Sequence, residues 1–309
     1  MIDDQGGDGM KIGLALGSGS ARGIAHIGVL KALEELNIPI SFIAGSSMGA
    51  FVGAAYAAGQ TIEQLEVNSE RATWQDTARM FIPSFSKGGL IRGKRISGFI
   101  HERVGVTDFD ELKIPLGVDT TDLETGEKYT ITSGDLIAAV RASMAVPTVL
   151  TPKIIDGRLL VDGGLVSPVP IRTVRDMGAD FVIAVDVMPP IAANYKRNRS
   201  GFEDSLRRVI RESTTLQKLF SEDMLPGEKK VTERDVGIFE VFQQSMQIGH
   251  TKLAEYQVEL EAPDILIQPD TKDYFAYDFH KAHTLIDRAY ELTQKILEDN
   301  QMIINQLKW

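Results

Sequence analysis

Ile40-Ser41-Phe42-Ile43-Ala44-Gly45-Ser46-Ser47-Met48-Gly49, running on through small residues to Ala58, is the stretch on which the fold turns. Ile40–Ala44 predicts an apolar strand, and Met48 to Ala58 a helix of small side chains with Gly59 suited to its C′ position. Between them lies a G-x-S-x-G pentapeptide, Gly45-Ser46-Ser47-Met48-Gly49. A serine at a sharp strand-to-helix turn is pushed out at the end of the sheet, and flanking glycines let neighbouring backbone pass close by. The helix beginning at Met48 aims its positive end at Ser47 and at any oxyanion formed there. The pentapeptide alone also fits an ordinary glycine-rich turn; its placement between strand and helix makes Ser47 a nucleophile candidate.

Upstream, Lys11–Leu16 reads as a short buried strand broken by the glycines after it. Ile24, Ile27, Leu30, Leu33 and Leu36 then recur at helical spacing until Asn37-Ile38-Pro39 ends the run. Downstream, Thr61-Ile62-Glu63-Gln64 has the form of a capping box. Further strands are predicted at Leu116–Thr120, Lys128–Thr132, Lys153–Ile155, Phe181–Val187 and Asp264–Gln268, with Asp278 capping a final long helix. Strands separated by helices imply a mainly parallel sheet covered on both faces. From Pro189-Pro190 to about Gln257 the sequence reads as helices and polar connections. Because the Asp264–Gln268 strand would return to the same sheet, residues 190–260 are read as a helical elaboration. The expected organisation is a leader over 1–10 and one domain over 11–309, with a core at 11–190 and the last strand and helix at 261–309.

With 43% hydrophobic and 25% charged residues, the 309-residue chain has an ordinary globular composition. A net charge of -10 argues against nucleic acid as a partner. The basic stretch Lys196–Arg211 is an exception that suits a solvated helix face or peripheral contact with lipid headgroups. There is no cysteine, which excludes disulfides, thiolate catalysis and Cys-based zinc sites. No window holds 18 uncharged apolar residues, and residues 1–10 lack the basic start and apolar core of a signal peptide. A cytoplasmic location is expected, with residues 1–10 a disordered leader or a start placed ahead of Met10. The amphipathic C-terminal helices could support a homo-oligomer.

Two further motifs bear on Ser47. Gly17-Ser18-Gly19-Ser20-Ala21-Arg22-Gly23 follows the first strand. As a dinucleotide fingerprint it fails at the sixth place, which is Arg22, and no acid ends the next strand. A Walker phosphate loop is absent too. What remains is a loop of backbone N–H groups at a helix N-terminus, on the edge where Ser47 emerges, as an oxyanion hole for acyl transfer requires. Val161-Asp162-Gly163-Gly164 places an acid at the end of an apolar run; read by itself it is a hairpin turn.

Together and in this order, the loop Gly17–Gly23, the pentapeptide Gly45–Gly49 and Asp162-Gly163-Gly164 resemble the patatin-like phospholipase family, in its bacterial branch. The C-terminal Asp264–Pro269 and Asp278-Phe279-His280 stretches look like the bacterial members as well. The resemblance implies a three-layer α/β/α fold and hydrolysis of phospholipid, lysophospholipid or related acyl esters. It implies Ser47 as nucleophile and Asp162 as proton acceptor, with Gly163 and Gly164 shaping the turn at Asp162. Backbone N–H groups around Gly19 and Ser20 would hold the oxyanion, Arg22 would brace the loop, and an acyl-enzyme on Ser47 would be hydrolysed by water. No metal or cofactor enters this scheme.

The order Ser47, Asp162, His280 also matches α/β-hydrolases, but His280 and His283 fall within the apparent first turns of a helix and read as a polar face. His26, on the helix after the glycine-rich loop, is expected to fix that helix by a hydrogen bond. His101 and His250 show no partner pattern, and no metal-ligand spacing occurs. Thr61–Gly105, with Phe81, Phe85, Leu90, Ile91 and Phe99, fits an acyl cleft, a lid or core packing equally well. So does Ile238–Met246, with Phe239, Phe242 and Met246. Two alternatives of other classes are a nucleotide-binding protein using Gly17–Gly23, and a non-catalytic membrane-associated regulator using the 196–211 stretch.

Overall fold

The computed structural model describes residues 10–70, 94–147, 149–190, 238–274 and 278–301. Eight strands form one sheet: β1 (Ile12–Leu16), β2 (Phe42–Ser46), β3 (Leu116–Asp122), β4 (Lys128–Ile131), β5 (Lys153–Ile155), β6 (Arg158–Asp162), β7 (Phe181–Val185) and β8 (Ile265–Ile267). Their order is β5-β6-β3-β2-β1-β7-β8, with β4 paired to β3. From β3 to β8 along that order every pairing is parallel, whereas β4, β5 and β6 are joined by antiparallel ladders. β2 begins two residues later than expected and runs on through Gly45-Ser46. The register explains it: Phe42 is the first residue with a β1 partner, and Gly45 and Ser46 are still paired to Leu16 and Asp119.

Among the described residues the helices are α1 (Ala25–Glu35), α2 (Met48–Ala57), α3 (Ile62–Glu70), α4 (Lys94–Val104), α5 (Leu136–Ser143), α6 (Ile171–Asp176), α7 (Ile238–Glu261) and α8 (Ala282–Asp299). Strand residues alternate between two buried layers, as the two-residue period of a strand requires. Leu14, Leu16, Ile43, Ile183 and Val185 join α1, α2, α5 and α8 in the larger core. Ala15, Ala44, Val182 and Ala184 face Val174 of α6 and Ala254 of α7 in the smaller one. The result is the expected three-layer α/β/α fold. The capping box at α3 forms as predicted: Thr61 N–H donates to Gln64 Oε1 at 2.9 Å and Gln64 N–H to Thr61 Oγ1 at 3.3 Å.

Two local readings are corrected. Asp162-Gly163-Gly164 is not a hairpin: the hairpin joins β5 to β6 at Asp156-Gly157, where both residues have positive φ (49° and 76°) as a two-residue turn demands. Gly163–Leu165 instead forms a 3-10 turn. At the last helix, Asp278 does not cap with its side chain, which accepts from Lys281 Nζ at 2.6 Å, and α8 starts at Ala282 after a Phe279–Lys281 turn. The basic stretch 196–211, Phe81, Phe85, Leu90 and Ile91, and the side chains of Phe239 and Phe242, lie outside the described residues. Among the described residues, no helix is long and apolar enough to cross a membrane.

Candidate active site

The three motifs converge at the carboxyl ends of the parallel strands, where open α/β sheets bind ligands. β3 is the bridge. Ser46 pairs with Asp119 on one side of it and Thr120 with Asp162 on the other, so residues 47 and 162 emerge two strands apart on one edge. Ser47 Oγ donates to Asp162 Oδ2 at 2.7 Å, and both residues are buried.

The elbow at Ser47 is strained. Ser47 has φ 53° and ψ -117° at the N-cap of α2, a region costly for any residue with a Cβ. Gly49 lies flat against the end of β1: a Cβ there would overlap the Leu16 carbonyl oxygen. The Ser47 N–H donates to Ser143 Oγ at 2.8 Å, and Ser143 Oγ donates to the Asp119 carbonyl at 2.7 Å.

Asp162 is held from four sides. Besides the Ser47 hydroxyl, its carboxylate accepts the Gly164 N–H at 2.8 Å. Its own N–H donates to Ala145 O at 3.1 Å, and its carbonyl accepts from Thr121 Oγ1 at 2.7 Å. Burial lifts its carboxyl from 3.8 to about 6, against the opposing pull of the Ser47 and Gly164 hydrogen bonds. Desolvation disfavours the charged form more than two donors favour it.

In the glycine-rich loop, Gly17 N–H donates to Val185 O (2.9 Å) and Ser18 N–H to Pro168 O (2.7 Å). Those two donors anchor the loop to β7 and to the segment after the Asp162 turn. The Gly19 and Ser20 N–H groups, at the start of the Ser20–Ile24 3-10 turn, meet no acceptor among the described residues. Arg22 is buried and its Nε donates to the Tyr274 carbonyl at 2.8 Å, tying the loop to the chain after β8. Gly23 lets Met48 pack against the turn.

His26 is fully buried, with Nε2 2.8 Å from Gly17 O. A carbonyl only accepts, so Nε2 carries the hydrogen; burial lowers the ring to about 4 and keeps it neutral. It fixes the loop to α1, as expected. His280 is exposed in the turn before α8 and His283 pairs with Asp287 at 3.0 Å. Among the described residues, no group of three or more acidic or histidine side chains could hold a metal ion.

A cavity of about 90 Å³ adjoins Ser47 and Ser20 and is walled by Ile24, Ile27, Met48, Phe51, Val52 and Phe99. Phe51 and Phe99 stack with centroids 5.7 Å apart, and the Arg103 guanidinium lies 3.7 Å from the Phe99 ring centre. Phe99 thus joins the cavity. Phe51, Ser143, Thr121 and Tyr274 carry no signal in the sequence, since each reads there as ordinary helix, strand or loop.

The glycine-rich loop, elbow serine and turn aspartate define a class: patatin-like proteins. A family model described as patatin-like phospholipase matches residues 14–175, over half of the chain. The chain belongs to the patatin-like phospholipase family. An uncharacterized NTE family protein of Mycobacterium tuberculosis is 30% identical over 336 aligned positions, covering 95% of this chain and 93% of its own. Lysophospholipase NTE1 of Coccidioides immitis is 33% identical over 64% of this chain and 12% of its own length. Neuropathy target esterase sws of Drosophila melanogaster is 35% identical over 58% and 13%. Among solved structures, VipD from Legionella pneumophila superposes with a TM-score of 0.46 at 11% identity, covering 94% of this chain and 67% of that one.

Proposed function

We propose that this chain is a serine acyl hydrolase that cleaves carboxylic esters of phospholipids, lysophospholipids or related lipids. The observation that carries the reading is the 2.7 Å hydrogen bond from Ser47 Oγ to Asp162 Oδ2 at an apolar cavity. The names of the lysophospholipase and esterase relatives support the same chemistry.

Ser47 Oγ attacks the ester carbonyl carbon as its proton passes to Asp162, and the carbonyl oxygen becomes an oxyanion. The Gly19 and Ser20 N–H groups, which meet no acceptor among the described residues, receive that charge, aided by the N-terminus of α2. Collapse breaks the bond to the alkoxy oxygen, which leaves with the proton from Asp162, and the acyl group stays on Ser47. Water then gives its proton to Asp162 and adds to the acyl carbon; collapse releases the carboxylic acid and returns the proton to Ser47. The acyl chain occupies the cavity against Phe51 and Phe99, where apolar surface leaves water.

A fluorophosphonate probe should label the wild type, and Ser47→Ala should abolish labelling. Asp162→Asn should abolish turnover on a panel of acyl chains and headgroups. A wild type that neither takes the label nor hydrolyses any ester in the panel refutes the proposal.

A further inference from the structure

The last residue of α5 and the two that follow it, Ser143-Met144-Ala145, touch both sides of the Ser47–Asp162 pair. Ser143 Oγ accepts the Ser47 N–H at 2.8 Å. Ala145 O accepts the Asp162 N–H at 3.1 Å, and Met144, between them, lines the cavity. The Ser143 hydroxyl is wholly buried and gives its own hydrogen to the Asp119 carbonyl at 2.7 Å. Its single hydrogen is therefore committed, and a lone pair is left to face Ser47. Asp119 is itself fixed: its buried carboxylate accepts from Thr130 Oγ1 (2.7 Å), Ser167 Oγ (2.6 Å) and Thr173 Oγ1 (2.8 Å).

We infer that Ser143 is a positioning residue, and that the Ser143–Ala145 segment acts as a clip that sets the separation of nucleophile and base. The inference rests on the reading of Ser47 and Asp162 given above. Ser47 sits at φ 53°, so its backbone needs an outside partner to stay there. The clip supplies that partner from the same rigid segment that anchors the Asp162 main chain. It also occupies the Ser47 N–H, leaving the oxyanion to other donors. Displacements on the order of 1 Å in such a pair cost roughly 100-fold in rate.

The experiment is the rate and final extent of fluorophosphonate labelling, with kcat and KM on one ester, for the wild type, Ser143→Ala and Thr293→Ala. Thr293 is a buried hydroxyl of α8 that bonds Ala289 O and has no part in the cavity walls, and it controls for loss of a buried hydrogen bond. Ser143→Ala should reach full labelling with a rate constant lower by roughly 100-fold; kcat should fall in parallel with KM little changed. Thr293→Ala should label at the wild-type rate. A lower final extent with an unchanged rate constant marks a merely structural role and overturns the inference, as does a wild-type rate in Ser143→Ala. Where Ser143→Ala fails to fold, Ser143→Thr should restore the rate and Ser143→Cys, a weaker acceptor, should not; equal rates overturn it. An inert wild type overturns the hydrolase reading itself, so the two failures are distinguishable.

Discussion

Replacing Asp162 by Asn should separate the stability and the activity of this protein along one pH axis. The carboxyl is lifted from 3.8 to about 6 by burial. At about 1.4 kcal/mol per tenfold change in the proton equilibrium, ionising it in the folded state costs about 3 kcal/mol more than in the unfolded chain. The folded pKa is the higher one, so this contribution favours the native state below pH 3.8 and is lost as pH rises through about 6. Asn cannot ionise, and its other effects on packing do not depend on pH. The stability of Asp162→Asn relative to wild type should therefore rise by about 3 kcal/mol between about pH 4 and about pH 8, with the change falling between 3.8 and about 6. Activity runs the opposite way. In the proposed mechanism the wild type needs the carboxylate as base, so its kcat/KM should fall below about pH 6, while the Asn variant should be inactive throughout. Denaturant unfolding of both proteins at several pH values, beside ester hydrolysis by the wild type, reads both effects. A stability difference that does not change across that range, or an activity limb near the ordinary aspartate value, would refute the assignment of a desolvated base.

His26→Ala should lower the labelling rate of Ser47 and cost about 1–3 kcal/mol by leaving the Gly17 carbonyl buried without its donor; equal rates and melting points would remove His26 from the loop's support. Because burial lowers His26 to about 4 from 6.5, its contribution to stability is present above pH 6.5 and lost as pH falls through about 4, and NMR should show a neutral Nε2–H ring at about pH 6. Phe51→Trp should narrow the cavity and shift preference toward short acyl chains, by about 1–3 kcal/mol for each methylene excluded; an unchanged chain-length profile would place the acyl group elsewhere. Gly49→Ala, whose methyl would overlap the Leu16 carbonyl oxygen, should destabilise the fold by about 1–3 kcal/mol or more, readable as a fall in Tm.

The sheet is legible in the sequence because most of its strands are short apolar runs, and its parallel half because helical segments separate them. The antiparallel half is harder. β6 shows in the sequence only as the apolar run that ends at Asp162, although Asp156-Gly157 before it carries the dipeptide of a two-residue turn. Asp162-Gly163 carries the same dipeptide, and only the ladder to β3 tells the two apart. Ser47 and Asp162 can be singled out since each sits in a local pattern. Ser143 cannot: its bond to Ser47 spans 96 residues, and in Arg141-Ala142-Ser143-Met144-Ala145 it reads as one more helical residue. Contacts of that range have no period and leave no mark on neighbouring sequence.

Burial at this site acts on two ionisable groups in opposite senses, and both effects suit the proposed roles. An aspartate in water, near 3.8, is a poor base at neutral pH. Enclosed beside Ser47 it rises to about 6, nearer to the pH at which the proposed mechanism has it accept a proton, and so closer to the optimum for proton transfer. Two donors, the Ser47 hydroxyl and the Gly164 N–H, keep that rise from going further and hold the acceptor oxygens in place. The same desolvation drives His26 down to about 4. That takes it out of acid–base work at neutral pH and leaves a fixed N–H donor for the Gly17 carbonyl. In the proposed scheme no histidine serves as base: His26 is a brace for the loop, and Asp162 contacts the proposed nucleophile Ser47 directly. The proposed role of a buried carboxylate as base suits a fold that encloses it deeply enough to shift its proton affinity without leaving its oxygens unpaired.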